Sequence, residues 1–438
     1  MTIKELEEFR MICQRGSLAR ASKELFMSPQ GLSRVLKNLE NELECTLLDR
    51  VASGIELTES GQRLYDYANT VLSEYDKLKK EIDTEISKVL ESACFIGGDS
   101  VKEVEEMLAD YVGVKHCITC GNGTDALTMV LKAWGVSEGD AVFVPDFTFF
   151  ASAEVVSFEG AQPVFYDVDS NTYNACEKSL ENAIIKVKEE GKLNLKAIIA
   201  VDLFGQPADY EKISAIAKKY NMLLLEDGAQ GFGGRIGEKK ACSFGDAATT
   251  SFFPAKPLGC YGDGGAIFVN DDEMASFLRS IAVHGKGSYK YDNVRIGWNS
   301  RLDAIQAVVL KEKLRAFKQY ELDEVNRVAA QYTKLLEGIV KTPAVKEGFY
   351  SSWAQYTIQL PSEEMRDNLQ KKLKEENIPT MVYYPKAMSA QNAFANIKKY
   401  VRCPNTERLC KTVLSLPMHP YLENKEIECV IDAIKRSV

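Results

Sequence analysis

The sequence lacks any apolar run near the roughly 20 residues that a membrane-spanning helix requires. Its longest apolar stretches, such as Lys196-Ala-Ile-Ile-Ala-Val-Asp202, have the length of buried strands. It has no basic segment followed by an apolar one near its start, so no secretory leader is expected. It also lacks an even, closely spaced cysteine set. Eleven cysteines scattered over 438 residues point to thiols in a reducing cytoplasm rather than to a disulfide framework. Cys117-x-x-Cys120 has no second ligand pair beside it, so zinc is not expected and no metal site is assigned. Internal repeats and low-complexity linkers are missing too. Positive charge is scarce: 54 basic against 63 acidic residues leave a net charge of −9, an average that argues against a nucleic-acid binder. What remains is ordinary globular composition, 45% hydrophobic and 27% charged. At about 100–200 residues per domain, the length predicts two or three domains.

The average hides unlike parts. From Ile3 to about Leu57 the pattern is of short helices. Leu6, Phe9, Ile12 and Cys13 form one amphipathic stripe, and Gly16-Ser17 breaks it. Leu18 to Phe26 reads as a second helix. Ser28 stands as N-cap with Pro29 at the first helical position of a third, Gln30 to Leu43. That helix buries Leu32, Val35, Leu36 and Leu39 and turns Gln30, Ser33, Arg34 and Lys37 outward. Leu47-Leu48-Asp49-Arg50, Ser53-Gly54 and Ile55-Glu-Leu57 read as a small hairpin or wing. Between Arg10 and Lys37 six cations (Arg10, Arg15, Arg20, Lys23, Arg34, Lys37) face Glu24 alone, +5 in a chain of −9. Such a face suits DNA phosphates around a helix-turn-helix; a three-helix protein-interaction module with a solvated basic face reads equally from pattern and charge.

Leu6-Glu-Glu-Phe9, Gly16 to Leu25, Ser28-Pro-Gln-Gly-Leu-Ser-Arg34, Leu39-Glu-Asn-Glu-Leu43 and Leu57-Thr-Glu-Ser-Gly61 together resemble the winged helix-turn-helix of LysR-type transcription regulators. The resemblance implies DNA contacts from Ser28, Gln30, Ser33, Arg34 and Lys37. It ends at about Leu90; the effector domain of that family does not follow. Thr58 to Leu90 predicts one long helix, with an apolar stripe through Leu64, Tyr67, Val71, Leu72, Tyr75, Leu78, Ile82, Ile86 and Val89. It suits either a coiled-coil pairing of two copies or packing on the next domain.

Beyond Leu90, apolar strand-like runs at 141–144, 163–166, 197–201 and 222–225 alternate with helical patterns at 124–134, 150–158, 177–188 and 210–219. This predicts an α/β domain with a mainly parallel sheet covered on both faces. A long helix from about Asp303 to Glu337 and a smaller α+β segment follow. The expected domains are 1–60, a linker helix 61–90, a large domain 91–325 and a small domain 326–438.

Three local features carry chemistry. In Cys120-Gly-Asn-Gly-Thr-Asp-Ala-Leu127, glycines precede a helix start that suits a phosphate or is a plain turn. In Leu223-Leu-Leu-Glu-Asp-Gly-Ala-Gln230, Asp227 follows a buried strand, as ligand contact or helix cap. In Ser251-Phe-Phe-Pro-Ala-Lys-Pro257, Lys256 lies between two prolines in a stiff turn, and burial there lowers its pKa as Schiff-base chemistry needs. The ordered set points to pyridoxal phosphate (PLP), with Lys256 binding its aldehyde and Asp227 holding the pyridine nitrogen protonated.

With Phe95-Ile-Gly-Gly98, Pro145-Asp-Phe-Thr-Phe149, Gly297-Trp-Asn-Ser-Arg301 and Leu416-Pro-Met-His-Pro420, these blocks make residues from about Glu74 onward resemble the sugar aminotransferases of the DegT/DnrJ/EryC1/StrS family. The resemblance implies a fold-type I PLP-dependent transferase. It implies that Gly123, Thr124 and Ser251 hold the cofactor phosphate, Phe149 stacks on its ring and Gln230 lies near its phenolic oxygen. It implies that Asp227 and Lys256 are the catalytic pair. Asn299 would reach the phosphate of a partner subunit, so a homodimer is implied. Related dehydratases carry histidine in place of the lysine, so Lys256 favours transamination. Lys256 to Gly265 and Val283-His-Gly285 are similar to the branch acting on 3-oxo nucleotide sugars, notably UDP-2-acetamido-3-oxo-glucuronate aminotransferases, for which glutamate is the usual amino donor. His284, Lys286, Arg295, Arg301 and Lys386 are candidates for the anionic substrate. Ser389 departs from the family by standing where such enzymes carry histidine. Two functions are therefore expected in order: an aminotransferase with a DNA-binding head, or a transcription regulator whose aminotransferase-like domain senses PLP or a sugar.

Overall fold

Helix α1 (Ile3–Arg15) buries Leu6, Phe9 and Ile12 completely and ends at Gly16, whose φ of +58° favours glycine. Helix α2 (Leu18–Glu24) brings the small Ala21 and Ser22 into the core. It stops short of the expected Phe26, which takes a φ of +51° and ends the helical run. Helix α3 (Pro29–Glu42) starts where expected, with Ser28 Oγ accepting from Gly31 N at 3.0 Å. Leu32 and Leu39 are fully buried; Val35 and Leu36 are half-buried. Strands β1 (Leu48–Val51) and β2 (Gly54–Leu57) pair antiparallel as the wing, Leu48 opposite Leu57. The computed structural model describes residues 3–43, 45–51, 54–289 and 291–438. Ser53 of the expected wing lies outside the described residues, as do the side chains of Val71, Leu72 and Tyr75.

One long helix follows, α4 (Glu59–Ser92). The chain divides within it into two units, Met1–Glu85 and Ile86–Val438.

In the second unit the elements alternate: α5 (Asp99–Val112), β3 (His116–Cys120), α6 (Gly123–Ala133), β4 (Asp140–Pro145), α7 (Ala151–Phe158), β5 (Gln162–Tyr166), α8 (Glu177–Glu190), β6 (Asn194–Val201), α9 (Tyr210–Lys219) and β7 (Leu223–Asp227). Two short strands, β8 (Arg235–Ile236) and β9 (Lys239–Lys240), precede β10 (Ala247–Ser251), β11 (Gly265–Val269) and α10 (Asp272–Ile281). Seven strands form one sheet in the order β3-β11-β10-β7-β6-β4-β5. The pairs from β5 through β10 are parallel, and β11 alone runs against its two neighbours. β4 is buried along its whole length because helices cover both faces, which is why it reads as an unbroken apolar run.

Three strands escape that reading. His116-Cys-Ile-Thr-Cys and Ala247-Ala-Thr-Thr-Ser lack long apolar runs, and β11 opens on the glycine that ends the expected Lys256 loop. The helix expected from Asp303 to Glu337 is instead α11 (Ala304–Ala316), a π-helical stretch at 317–321, and α12 (Leu322–Leu336). The remainder is β12 (Phe349–Tyr350), which extends β8, then β13 (Tyr356–Gln359), α13 (Glu363–Glu375), α14 (Pro404–Thr412), β14 (Val413–Leu416) and α15 (Asn424–Ser437). β13 and β14 pair antiparallel, and α12, α13 and α15 bury Tyr332, Leu373 and Ile431 around them.

Among the described residues no helix is long and apolar enough to cross a membrane. Cys117 and Cys120 are buried in β3, with burial pushing both thiols up; the Cys120 thiol donates to Asn122 O.

Candidate active site

A parallel sheet places ligand-binding side chains at the carboxyl ends of its strands, and there a cavity of about 690 Å³ opens. Gly123, Thr124, Phe149, Asp227, Gln230, Ser251 and Lys256 all line it.

The wall nearest α6 is built for close approach. Asn122 Oδ1 caps that helix by accepting from Asp125 N at 2.8 Å, and Ser300 Oγ bridges Gly121 N and Asp125 Oδ2. A Cβ on Gly123 would stand 2.8 Å from the Ser251 Cβ, so only glycine lets the helix start meet the end of β10. Free N–H groups at a helix start beside a hydroxyl suit a phosphate.

Asp227 ends β7 in near-complete burial. Ser152 Oγ donates to its Oδ2 at 2.7 Å and Ala229 N to its Oδ1 at 3.2 Å. Burial raises its pKa, and those two hydrogen bonds and the Lys256 charge act against the rise. Lys256 shows the mirror image: burial lowers its pKa and Asp227 partly opposes that. Its ammonium has no hydrogen-bond acceptor among the described residues. Gln230 is held at both ends, Oε1 accepting from Phe204 N at 2.7 Å and Nε2 donating to the Tyr384 hydroxyl at 3.0 Å. Phe149 is half exposed over the opening, tilted against the Tyr384 ring with centroids 6.2 Å apart. A phosphate cradle that a Cβ would fill, a buried carboxylate and an unpaired, pKa-lowered lysine fit PLP.

Other expected residues lie elsewhere. Asn299 is exposed and accepts from Arg301. His284 sits at a φ of +55° on the same exposed loop, with Lys286 exposed two residues on. The Arg295 guanidinium covers the Phe277 ring at 4.8 Å, and Lys386 Nζ reaches Asn392 Oδ1 at 3.5 Å. None of these lines the cavity formed by this chain. Ser389 does not line it either. Its N and Oγ donate to the buried Asp146 carboxylate at 2.6 and 2.9 Å, beside a separate cavity of about 220 Å³.

The structure adds Thr148, Ser152, Asp263, Gln355, Tyr383 and Tyr384 to the lining. The signal for Ser152 was a hydroxyl on the first turn of a helix following the Phe149 block. Tyr384 carries no local signal, since it meets Gln230 across 154 residues of chain.

On the first unit, Gln30, Arg34 and Lys37 are exposed along α3, Ser28 is exposed before it, and Ser33 is half-buried. Arg15 is not a free cation, because Arg15 Nη2 meets Glu24 Oε2 at 2.6 Å.

A mainly parallel sheet with an unpaired lysine and a carboxylate at its carboxyl edge defines a fold-type I PLP-dependent transferase. The chain belongs to the DegT/DnrJ/EryC1/StrS aminotransferase family, whose model matches residues 76–435. Residues 3–62 match the model described as bacterial regulatory helix-turn-helix protein, lysR family. The chain is similar to the UDP-2-acetamido-2-deoxy-3-oxo-D-glucuronate aminotransferase of Pseudomonas aeruginosa, 44% identical over 82% of this chain and 96% of that one. It is similar to a pleiotropic regulatory protein of Geobacillus stearothermophilus, 43% identical over 82% and 95%. Among solved structures, a DegT DnrJ EryC1 StrS aminotransferase from Brucella abortus superposes with a TM-score of 0.81 at 46% identity, over 83% of this chain and 97% of that one. The chain is a PLP-dependent aminotransferase with a helix-turn-helix at its head.

Proposed function

We propose that this aminotransferase moves an amino group from glutamate to the keto carbon of a 3-oxo UDP-sugar, and that its helix-turn-helix head binds DNA. The observation that carries the reading is the cavity in which Lys256 stands without a hydrogen-bond partner near Asp227 and a glycine-cut helix start. The relative that acts on a UDP-2-acetamido-3-oxo-glucuronate supports the substrate class.

When bound, PLP takes up the amino group and withdraws electrons from the carbon that loses its proton. The chain supplies the rest. N–H groups of Gly123 and Thr124 and the Ser251 hydroxyl hold the phosphate. Asp227 keeps a carboxylate against the pyridine nitrogen, its charge stabilised by Ser152 and Ala229 N. Lys256 Nζ would hold the cofactor by its aldehyde and, as a free amine, would hold and move the proton at the substrate carbon. Phe149 covers the ring and shields it from water, and Gln230 orients the phenolic side.

Asn299 completes the site of a second copy, so the working form is a homodimer, and His284, Arg295, Arg301 and Lys386 meet the anionic nucleotide sugar. Eleven free cysteines suit a cytoplasmic setting. We assign residues 1–60 to the DNA-binding head, 61–90 to the linker helix, 91–325 to the large domain and 326–438 to the small one.

The test is direct. Holoenzyme mixed with glutamate and a UDP-2-acetamido-3-oxo sugar is expected to release 2-oxoglutarate and yield the aminated sugar by mass spectrometry. PLP bound without any 2-oxoglutarate release from that mixture sinks the enzyme reading in favour of a sensor.

A further inference from the structure

Behind Asp227 lie two carboxyls that the reaction does not use. Asp202 follows β6 and Glu226 precedes Asp227 on β7, and both side chains are fully buried. Their acceptor positions can be accounted for one by one. Asp202 Oδ1 accepts from Ala208 N at 2.9 Å and from the Tyr210 hydroxyl at 2.7 Å. Glu226 Oε1 accepts from Cys242 N at 2.5 Å and Oε2 from Phe244 N at 2.7 Å. Asp202 Oδ2 receives nothing, although it is out of water.

The other carboxyl is its neighbour across the sheet: Ala200 of β6 pairs with Glu226 of β7, and Asp202 lies two residues on along the same face. Gly231 closes the remaining side, since a Cβ there would lie 2.4 Å from Asp202 Oδ2. Among the described residues no lysine, arginine or histidine is paired with either carboxyl. The titratable groups facing the pair are Tyr210 from α9, Cys242 from the loop after β9, and Asp227 itself, each neutral or negative. Two ionised carboxyls side by side in such a place repel and lack solvation, so one of them keeps its proton. The backbone also ties the pair to Asp227, because Asp202 N donates to Asp227 O at 3.1 Å.

We propose that Asp202 and Glu226 share one proton, held between Asp202 Oδ2 and the Glu226 carboxyl, and that this bonded pair is the positioning element that fixes Asp227 at the end of β7. The positioning half rests on Asp227 meeting the cofactor nitrogen, as proposed above. Burial raises both carboxyls well above the usual range, in keeping with a retained proton.

The donor pattern names the substitution that the site accepts. In Asp202→Asn the amide oxygen still accepts from Ala208 N and Tyr210, and the amide NH2 donates to Glu226 where the shared proton was. In Asp202→Ala all of these bonds are lost.

The infrared difference spectrum of the full-length protein minus Asp202→Asn at pH 7 is expected to show the C=O stretch of a protonated carboxylic acid. Absence of that band overturns the shared proton. Should Asp202→Asn not fold, the band of the unsubstituted protein replaces the difference: it persists as pH rises past the ordinary carboxylate range of about 4 if the proton is retained, and vanishes there if it is not. PLP affinity, read by fluorescence quenching, is expected to weaken about tenfold or more in Asp202→Ala and to return to within about threefold in Asp202→Asn. Equal weakening in both variants overturns the positioning role, because it shows that the site needs a charge rather than a hydrogen-bonded bridge. None of these readouts depends on turnover, so they decide the pair even in a chain that transfers no amino group.

Discussion

Burial lowers the Lys256 pKa and Asp227 opposes it, with the net shift downward, so a larger share of Lys256 is neutral and nucleophilic at a given pH than for a lysine on the surface. The protein freed of cofactor should therefore capture PLP with a rate that rises with pH and levels off below the ordinary lysine value of about 10.4. A rate still rising at that value removes the assignment. Lys256→Ala should bind PLP without the absorbance of the covalently held cofactor, and transamination should fall by about 10²–10⁴ or more. The same absorbance in Lys256→Ala would place the link on another amine. At this scale the site was partly legible. Residues in glycine- and proline-rich turns announced themselves, whereas Tyr384 is brought in only by folding and Ser389 turned out to hold Asp146.

Elements decide how close those residues come. The α6 start and the β10 end touch because position 123 carries no Cβ; one added there would stand 2.8 Å from the Ser251 Cβ. Gly123→Ala must push the two apart or rotate Ser251, so PLP affinity should drop about tenfold or more while the melting temperature changes little. Ser251→Ala removes one hydroxyl, worth about 1 kcal/mol, and should weaken binding less. Titrations of both variants rank the effects, and a smaller loss for Gly123→Ala would dismiss the close-approach argument. Strands buried on both faces, such as β4 and β6, were legible because their apolar runs are unbroken. β3 and β10 were not, since cysteine, threonine and alanine fill their buried positions and match no alternation. The π-helical stretch between α11 and α12 was equally hidden, because its residues continue a helical pattern while its hydrogen bonding shifts by one.

At the scale of the whole molecule, two features concern more than one partner. If Asn299 serves the cavity of a second copy, mixing Lys256→Ala with Asn299→Ala protein should restore one intact site per mixed dimer. Transamination above the sum of the separate variants is the expected result, and strict additivity would assign Asn299 to its own chain. The head carries the second feature. A net charge of −9 conceals the basic segment from Arg10 to Lys37, and within it the structure separates cations that look alike in the sequence. Arg34 and Lys37 are exposed on α3, whereas Arg15 is held by Glu24. A cation that neutralises a phosphate releases a counterion, so its loss lowers the slope of log K against log salt by about 1. Binding of the full-length protein to a palindromic promoter fragment should therefore weaken steeply with salt. Arg34→Ala should reduce that slope by about 1 and Arg15→Ala by clearly less. Fluorescence anisotropy over a salt series measures both. Equal slopes in the two variants would mean that α3 does not face the phosphates, and that the basic face serves a protein partner instead.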